Sequence, residues 1–320
     1  MSYKSSFAVA CAMLLHICAA CADEKYPLKP IRIVTSPAGG AADLVSRLIA
    51  REISGPLGQP VIIENRGGDI AIAAGIVAKS AADGYTLLLH GVAFLVTPLM
   101  RENPPYDLVR DFEPITMVAT SPNVVVIHPS VAATSIKELV ALAKSRPGIL
   151  NYASAGTGSS AHLAAELFKA LAGVAIAHVP FRGTAPAVVD LVGGQVQMMF
   201  VIGGVATPHI KSGRLRAIAV TSAQPSELFP GLPTVAASGL PGYEMGASNS
   251  VFAPAGTPEK IIQRINTEIA RAVKTVELKE RLFNAGTEVV SMSVEQFRLS
   301  LKVELTRFGK LIKDTGIREQ

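Results

Sequence analysis

Hydrophobic positions along the chain follow two alternating rhythms. Short β-branched runs at Ile31 to Ser36, Val61 to Glu64 and Thr86 to His90 read as buried strands. Between them stand Ala-rich segments with apolar residues at helical spacing, Asp43 to Ile53 and Ala71 to Ser80. A second series begins at the strand Val124 to His128. It continues through helices at Ser135 to Ser145, Ser160 to Leu171 and Thr184 to Val192, and strands at Ile176 to Val179, Gln197 to Val201 and Arg216 to Thr221. The tail reads as three helices, Pro258 to Lys274, Val276 to Ala285 and Ser293 to Thr315, with Pro258 suited to a first helical turn. Strand and helix alternation of this kind predicts an α/β protein of two lobes, each a mixed, mainly parallel sheet flanked by helices. No flexible linker, internal repeat or low-complexity segment interrupts it, so strands would cross directly between lobes that close around something held between them.

The N-terminus breaks the pattern. Lys4, the apolar stretch Phe7 to Ala20 and the small residues Ala20-Cys21-Ala22 before Asp23 and Glu24 read as an export signal cleaved after residue 22. The apolar stretch falls short of the ~20 residues of a spanning helix, so a soluble periplasmic chain is expected. Lipid attachment at Cys21 is the rival, weakened by Cys18 where such signals carry Leu. Cys11, Cys18 and Cys21 all precede the cut, which excludes disulfides, a thiolate nucleophile and zinc-cysteine sites from the mature chain. The cut also removes one Lys, leaving 29 Lys plus Arg against 25 Asp plus Glu. These charges are scattered, without a basic stripe or interleaved aromatics, so no nucleic-acid partner is expected. A mild positive field would help to collect small anions.

Candidate chemistry sits in the turns. Pro37-Ala-Gly-Gly-Ala-Ala-Asp43 follows the first strand and opens the first helix, so its N–H groups face an anion at a positive helix end. Asn65-Arg-Gly-Gly-Asp69 repeats the arrangement, and Ser154-Ala-Gly-Thr-Gly-Ser-Ser160 precedes the helix of His162. Such turns ring the carboxyl edges of open α/β sheets, where ligands bind, although singly each also serves as a packing device. Gly156 to Ala161 fits a dinucleotide fingerprint, but His178 and Val179 stand where its acidic residue belongs, which rejects a nucleotide. Arg66 could pair with a ligand carboxylate or tie down its own loop. His162 suits packing near its helix start, and His90, His128, His178 and His209 lack metal-ligand spacing. No GxSxG elbow, HExxH pair or Cys-His couple occurs, and Asp43 suits a first-turn cap better than a base. No enzyme activity, metal or cofactor is expected.

Eight segments occur in an order that is highly specific. They are Tyr26 to Val34, Leu57 to Arg66, Asp83 to Leu89, Asn151 to Ser154, His178 to Gly183, Asp190 to Gln197, Leu232 to Val235 and Phe252 to Pro258. Over essentially the whole mature length the chain resembles the extracytoplasmic solute receptors of tripartite tricarboxylate transporters, the Bug receptors. The resemblance implies a Venus-flytrap protein that captures a small organic acid for membrane permease subunits, with a monomer expected. Domain 1 would comprise residues 23–122 plus 246–320, and domain 2 residues 123–245. The ligand carboxylate would be gripped by Ser36, Ala38, Gly39 and Gly40, then Gly67, Gly68 and Asp69. Across the cleft would stand Ala155, Gly156, Thr157, Ser159 and His162, with Phe181, Arg182 and Gly183. A sensor on the same scaffold, reporting to a signalling partner, is the alternative.

Departures from the family pattern cluster at these turns. Ser36 replaces an aromatic, Ala42 a hydroxyl, and Val201 a frequent Asp, while Asp69 sets a negative charge beside the expected carboxylate, to be offset by Arg66 or a proton. An apolar run, His90 to Thr97, replaces a more polar one. These changes predict Phe94, Val201 and Ile202 as apolar walls and a ligand with one carboxylate and an apolar or aromatic body.

Overall fold

The computed structural model describes residues 26–318; the expected export signal and Cys21 lie outside the described residues. The first lobe opens with β1 (Ile31–Thr35), α1 (Ala41–Leu57), β2 (Val61–Asn65), α2 (Ile70–Ala78), β3 (Thr86–Gly91) and α3 (Val92–Met100). The long strand β4 (Phe112–Ile127) leads into the second lobe. There α4 (Ile136–Ser145), β5 (Asn151–Ser154), α5 (Ser160–Ala172), β6 (Ala177–Pro180), α6 (Thr184–Val192), β7 (Met198–Ile202), α7 (Gly203–Lys211) and β8 (Arg216–Val220) follow. The chain returns through β9 (Gly246–Pro254) and ends in α8 (Glu259–Ala272), α9 (Val276–Asn284), β10 (Glu288–Val289) and α10 (Val294–Thr315).

Strands run in the order β2-β1-β3-β9-β4-β7-β5-β6, with β10 and β8 also on β4. The pairs β1–β2, β1–β3, β5–β6 and β5–β7 are parallel, while every antiparallel pair involves β4 or β9. The two crossing strands thus join two parallel βαβ units. Up to Pro122, opposite Gly246, β4 pairs with β9; from Asn123, opposite Ile202, it pairs with β7.

Only the last residues of β4 are expected from periodicity, because Pro114 and Pro122 break the run and proline lacks the ladder donor. Two devices accommodate them: a register shift just after Pro114, and the change of partner strand at Pro122. The helices α3 and α7 were likewise not expected. They are nine residues each and contain Pro98 and Pro208, and α7 starts on Gly203-Gly204, all signals that argue against a helix interior. Elsewhere the caps match the pattern. Ser135, Ser159, Thr275 and Ser293 each accept a first-turn N–H, and Gly58, Gly173 and Gly316 end their helices in the left-handed region.

Among the described residues three apolar cores hold the layers. One packs α1 and α8 on the first sheet through Ile33, Ile49, Leu89, Val251 and Ile265; another packs α6 and α7 on the second through Val124, Val188, Leu191 and Val201. The third is continuous between the lobes, running from Leu88, Phe94 and Phe252 to Val125, Tyr152, Phe168 and Phe200 under α10. No helix among the described residues is long and apolar enough to cross a membrane.

Candidate functional site

The carboxyl ends of β1, β2 and β3 form one edge of the first sheet, and those of β5, β6 and β7 form one edge of the second. All three glycine turns emerge there. In turn 1 Gly39 takes φ 82°, and its N–H donates to Asp43 Oδ2 at 2.9 Å. Asp43, 4 % exposed, also accepts from Asn65 Nδ2 at 2.7 Å and pairs with Arg47. Burial alone would raise its pKa, but the bonds from Asn65, Gly39 and Arg47 outweigh it and hold the carboxyl below its usual range. Asn65 Nδ2 also donates to Ser36 O, so one side chain ties the end of β2 to turn 1. Asp43 therefore braces the turn rather than capping the helix, and no side chain caps the first N–H groups of α1 at Gly40. Ala38 and Gly39 are exposed, Ser36 and Gly40 half-buried.

Turn 2 lies against turn 1, a Cβ on Gly67 falling 3.9 Å from Pro37 Cγ. Asp69 caps α2 through the Ala71 N–H at 2.8 Å, and its second oxygen meets Arg101 Nη2 at 2.5 Å. The Ala71 bond and Arg101 overcome the effect of burial and lower the Asp69 pKa, so the carboxylate is ionised at neutral pH. Its neutralising partner is Arg101, not Arg66, which turns away to Glu64. Arg101 directly follows α3, a helix that periodicity missed, so nothing in the sequence pointed to this pair.

Turn 3 is built without charge. Ser159 accepts the His162 N–H and donates to Gly156 O at 2.7 Å, while Ser154 Oγ accepts the Gly156 N–H and meets His178 Nε2 at 2.7 Å. His162 is 5 % exposed, its Nδ1 accepts the Gly158 N–H at 3.1 Å, and its ring stacks on His178 at 4.2 Å between centroids. The role of this ring is thus to pin the turn from behind. Burial, reinforced by His178, lowers the His162 pKa to about 4, and burial lowers that of His178. Tyr152 completes the stack and donates to Glu166, which also binds Lys169. Thr157 and Arg182 are exposed at the edge, Ala155, Gly156 and Phe181 half-buried, and the Gly183 N–H donates to Ala155 O.

The turns of the two lobes meet around the end of α3. Arg101 holds turn 2, and its neighbour Met100 fills the space over turn 3, where a Cβ on Gly158 would lie 2.6 Å from Met100 Cε. A second contact joins the lobes at the start of α7: a Cβ on Gly204 would lie 2.5 Å from Ala285 O. Turns 2 and 3 are therefore gathered around the end of α3, with turn 1 packed against turn 2.

Two expected walls lie elsewhere. Phe94 is fully buried, stacked on Tyr106 with its edges toward Phe112 and Phe252. Val201 is 1 % exposed in the core under α6 and α7, because alternation along β7 turns it away from the cleft. Ile202, half-buried at the strand end, stays at the edge. Among the described residues no group of three or more His, Cys, Asp or Glu is placed to hold a metal.

The model of the tripartite tricarboxylate transporter family receptor, TctC, matches residues 45–317. The chain is 38 % identical over 301 residues to protein BugT of Bordetella pertussis, covering 92 % of this chain and 91 % of that one. Among solved structures it is similar to R. palustris Rpa4515 with adipate, at TM-score 0.81 and 34 % identity, covering 92 % of this chain and 99 % of that one. It is also similar to MatC of Rhodopseudomonas palustris with bound malate, at TM-score 0.77 and 30 % identity over 90 % and 100 %. The chain belongs to the tripartite tricarboxylate transporter receptor family, whose members are periplasmic solute-binding proteins and not enzymes.

Proposed function

We propose that this receptor captures a small organic acid between its two lobes and presents it to the permease subunits of a tripartite tricarboxylate-type transporter, after export by the leader at residues 1–22. The single observation that carries the reading is the convergence of three N–H-rich turns on the two facing strand edges. Helix N-termini and open backbone donors favour anions. Ser36, Ala38, Gly39 and Gly40 with Gly67 and Gly68 would take the carboxylate, and Ala155, Gly156, Thr157, Ser159, Phe181 and Arg182 would close on its body. Asp69 and His162 would act behind them, one neutralised by Arg101 and the other bracing turn 3. The lobes would be residues 23–122 plus 246–320 and residues 123–245, with β4 and β9 as the hinge.

The acids bound by the two R. palustris relatives, adipate and malate, support a short dicarboxylate-sized ligand. With Phe94 and Val201 in the cores, an aromatic body has less support than the sequence alone suggested. A thermal-shift screen of refolded, ligand-stripped protein against mono-, di- and tricarboxylates, amino acids and aromatic acids tests the reading. One class of acid should raise the melting temperature, because a ligand that binds only the native state stabilises it by mass action. No shift with any acid would contradict the proposal.

A further inference from the structure

The lobes are tied together beside the crossing strands as well as near the turns. A cavity of about 150 Å³ opens where β4 and β9 pass between them, bordered by Ser121 and Pro122 and their strand partners Ala247 and Gly246. Its charged lining is Glu244, Glu288, Glu304 and Arg307, three carboxyls against one guanidinium. These groups come from different lobes. Glu244 is held to the second, since Tyr243 beside it donates to Ala164 O of α5 and the Met245 N–H donates to Thr221 O, each at 2.9 Å. Glu304 and Arg307 stand on α10, which is anchored to the first lobe where Arg298 meets Glu259 at 2.8 Å. Arg307 Nη1 reaches Glu244 Oε2 at 3.4 Å, so one ion pair spans the lobes at their crossing.

That pair leaves atoms unused. Arg307 Nε and Glu304 Oε2 are both buried without a hydrogen-bond partner, although residues three apart on a helix are neighbours. Glu288 is engaged elsewhere, accepting from Ser226 Oγ at 2.6 Å. Arg307 therefore stands between two carboxyls, Glu304 on its own helix and Glu244 on the other lobe. Burial, reinforced by the charge of Glu244, raises the Glu304 pKa and outweighs the pull of Arg307. Resting on the reading of β4 and β9 as the hinge, we propose that Glu304 positions Arg307 through its own protonation and so sets how firmly the lobes are held together. Protonated, Glu304 leaves the guanidinium to Glu244 and the pair across the hinge holds. Ionised, it competes for Arg307 along α10, and that pair weakens. A carboxyl whose pKa rises on folding stabilises the fold while it keeps its proton, and this contribution is lost as pH rises through the folded value. Mild acid thus favours the arrangement in which turns 2 and 3 gather around α3.

Spin-label distances test this without any ligand. Residues 23–320 contain no cysteine, so Ile72→Cys with Val189→Cys puts one exposed label on each lobe. At pH 5, above the His162 value of about 4, one short distance should dominate, and at pH 8 a second, longer one should appear. Glu304→Gln should keep the short distance at both pH values. It should also raise the melting temperature at pH 8 by about 2–4 °C and leave that at pH 5 unchanged. Glu244→Gln, at an exposed position, removes the partner and should give the longer distance at both. A pH response that survives Glu304→Gln would overturn the inference. A melting shift in that variant without a change in distance would also overturn it, leaving Glu304 a structural role only. Wild-type distances that move with an acid of the thermal-shift panel but not with pH would overturn the inference alone; distances that move with neither would overturn the hinge reading as well.

Discussion

The two sheet edges that carry the glycine turns are braced by opposite means. In the first lobe, turns 1 and 2 hang on ionised carboxylates, Asp43 and Asp69, each held by one backbone N–H and an arginine. In the second, turn 3 hangs on two neutral imidazoles and two serine hydroxyls. The difference teaches that equivalent glycine turns can have unequal sensitivity to their surroundings. The first edge depends on charges that persist to low pH, the second on rings that must stay unprotonated.

Removing the strongest brace breaks the comparison most visibly. Asp43→Ala leaves Asn65 Nδ2 and the Gly39 N–H without their buried acceptor, and should lower the unfolding free energy by about 2–3 kcal/mol in a urea titration. Acid separates the lobes next. A histidine of pKa about 6.5 unfolded and about 4 folded is neutral in the native state, so protons favour unfolding. Stability should fall as pH drops from about 6.5 and level off below about 4, by roughly 3 kcal/mol for His162. His178 shifts in the same direction. Protonation would also put a proton on Nδ1 where it accepts the Gly158 N–H. His162→Gln should flatten the profile in this window. The lowered carboxylates lose their contribution only at more acid pH.

Smaller effects sharpen the contact between lobes. Gly204→Ala should weaken acid binding about tenfold by pushing a Cβ into the Ala285 carbonyl. Ligand-free melting should fall as well, since the Cβ meets backbone that cannot step aside cheaply. Arg101→Ala should cost a few-fold in affinity by uncovering the Asp69 charge, and Asp69→Asn in the same background should restore it, both read by titration.

Most βαβ elements and all three turns could be read from the sequence, because strand and helix periodicities are local and Gly-rich turns mark where they switch. What could not be read depended on tertiary context. Pro114 and Pro122 hid most of β4, since only a register shift and a change of partner make them tolerable. Pro98 hid α3, and with it Arg101 and Met100, the two residues that gather turns 2 and 3. Phe94 and Val201 were misplaced for a related reason: α3 was not expected at all, and although the strand of Val201 was, which of its faces meets the α6 and α7 core is decided by tertiary packing. Glu304 gave no signal at all, because a carboxyl buried beside the crossing strands is a property of packing and not of pattern.

Hydrogen exchange of the full mature chain, with and without an acid found by thermal shift, tests the central claim most directly. The account predicts that residues 36–43, 66–71 and 155–162 gain protection together, since one ligand bridges both edges and closes the lobes. Protection confined to one lobe, or appearing instead on the outer groove of the second lobe between Pro129 and Phe229, would contradict it.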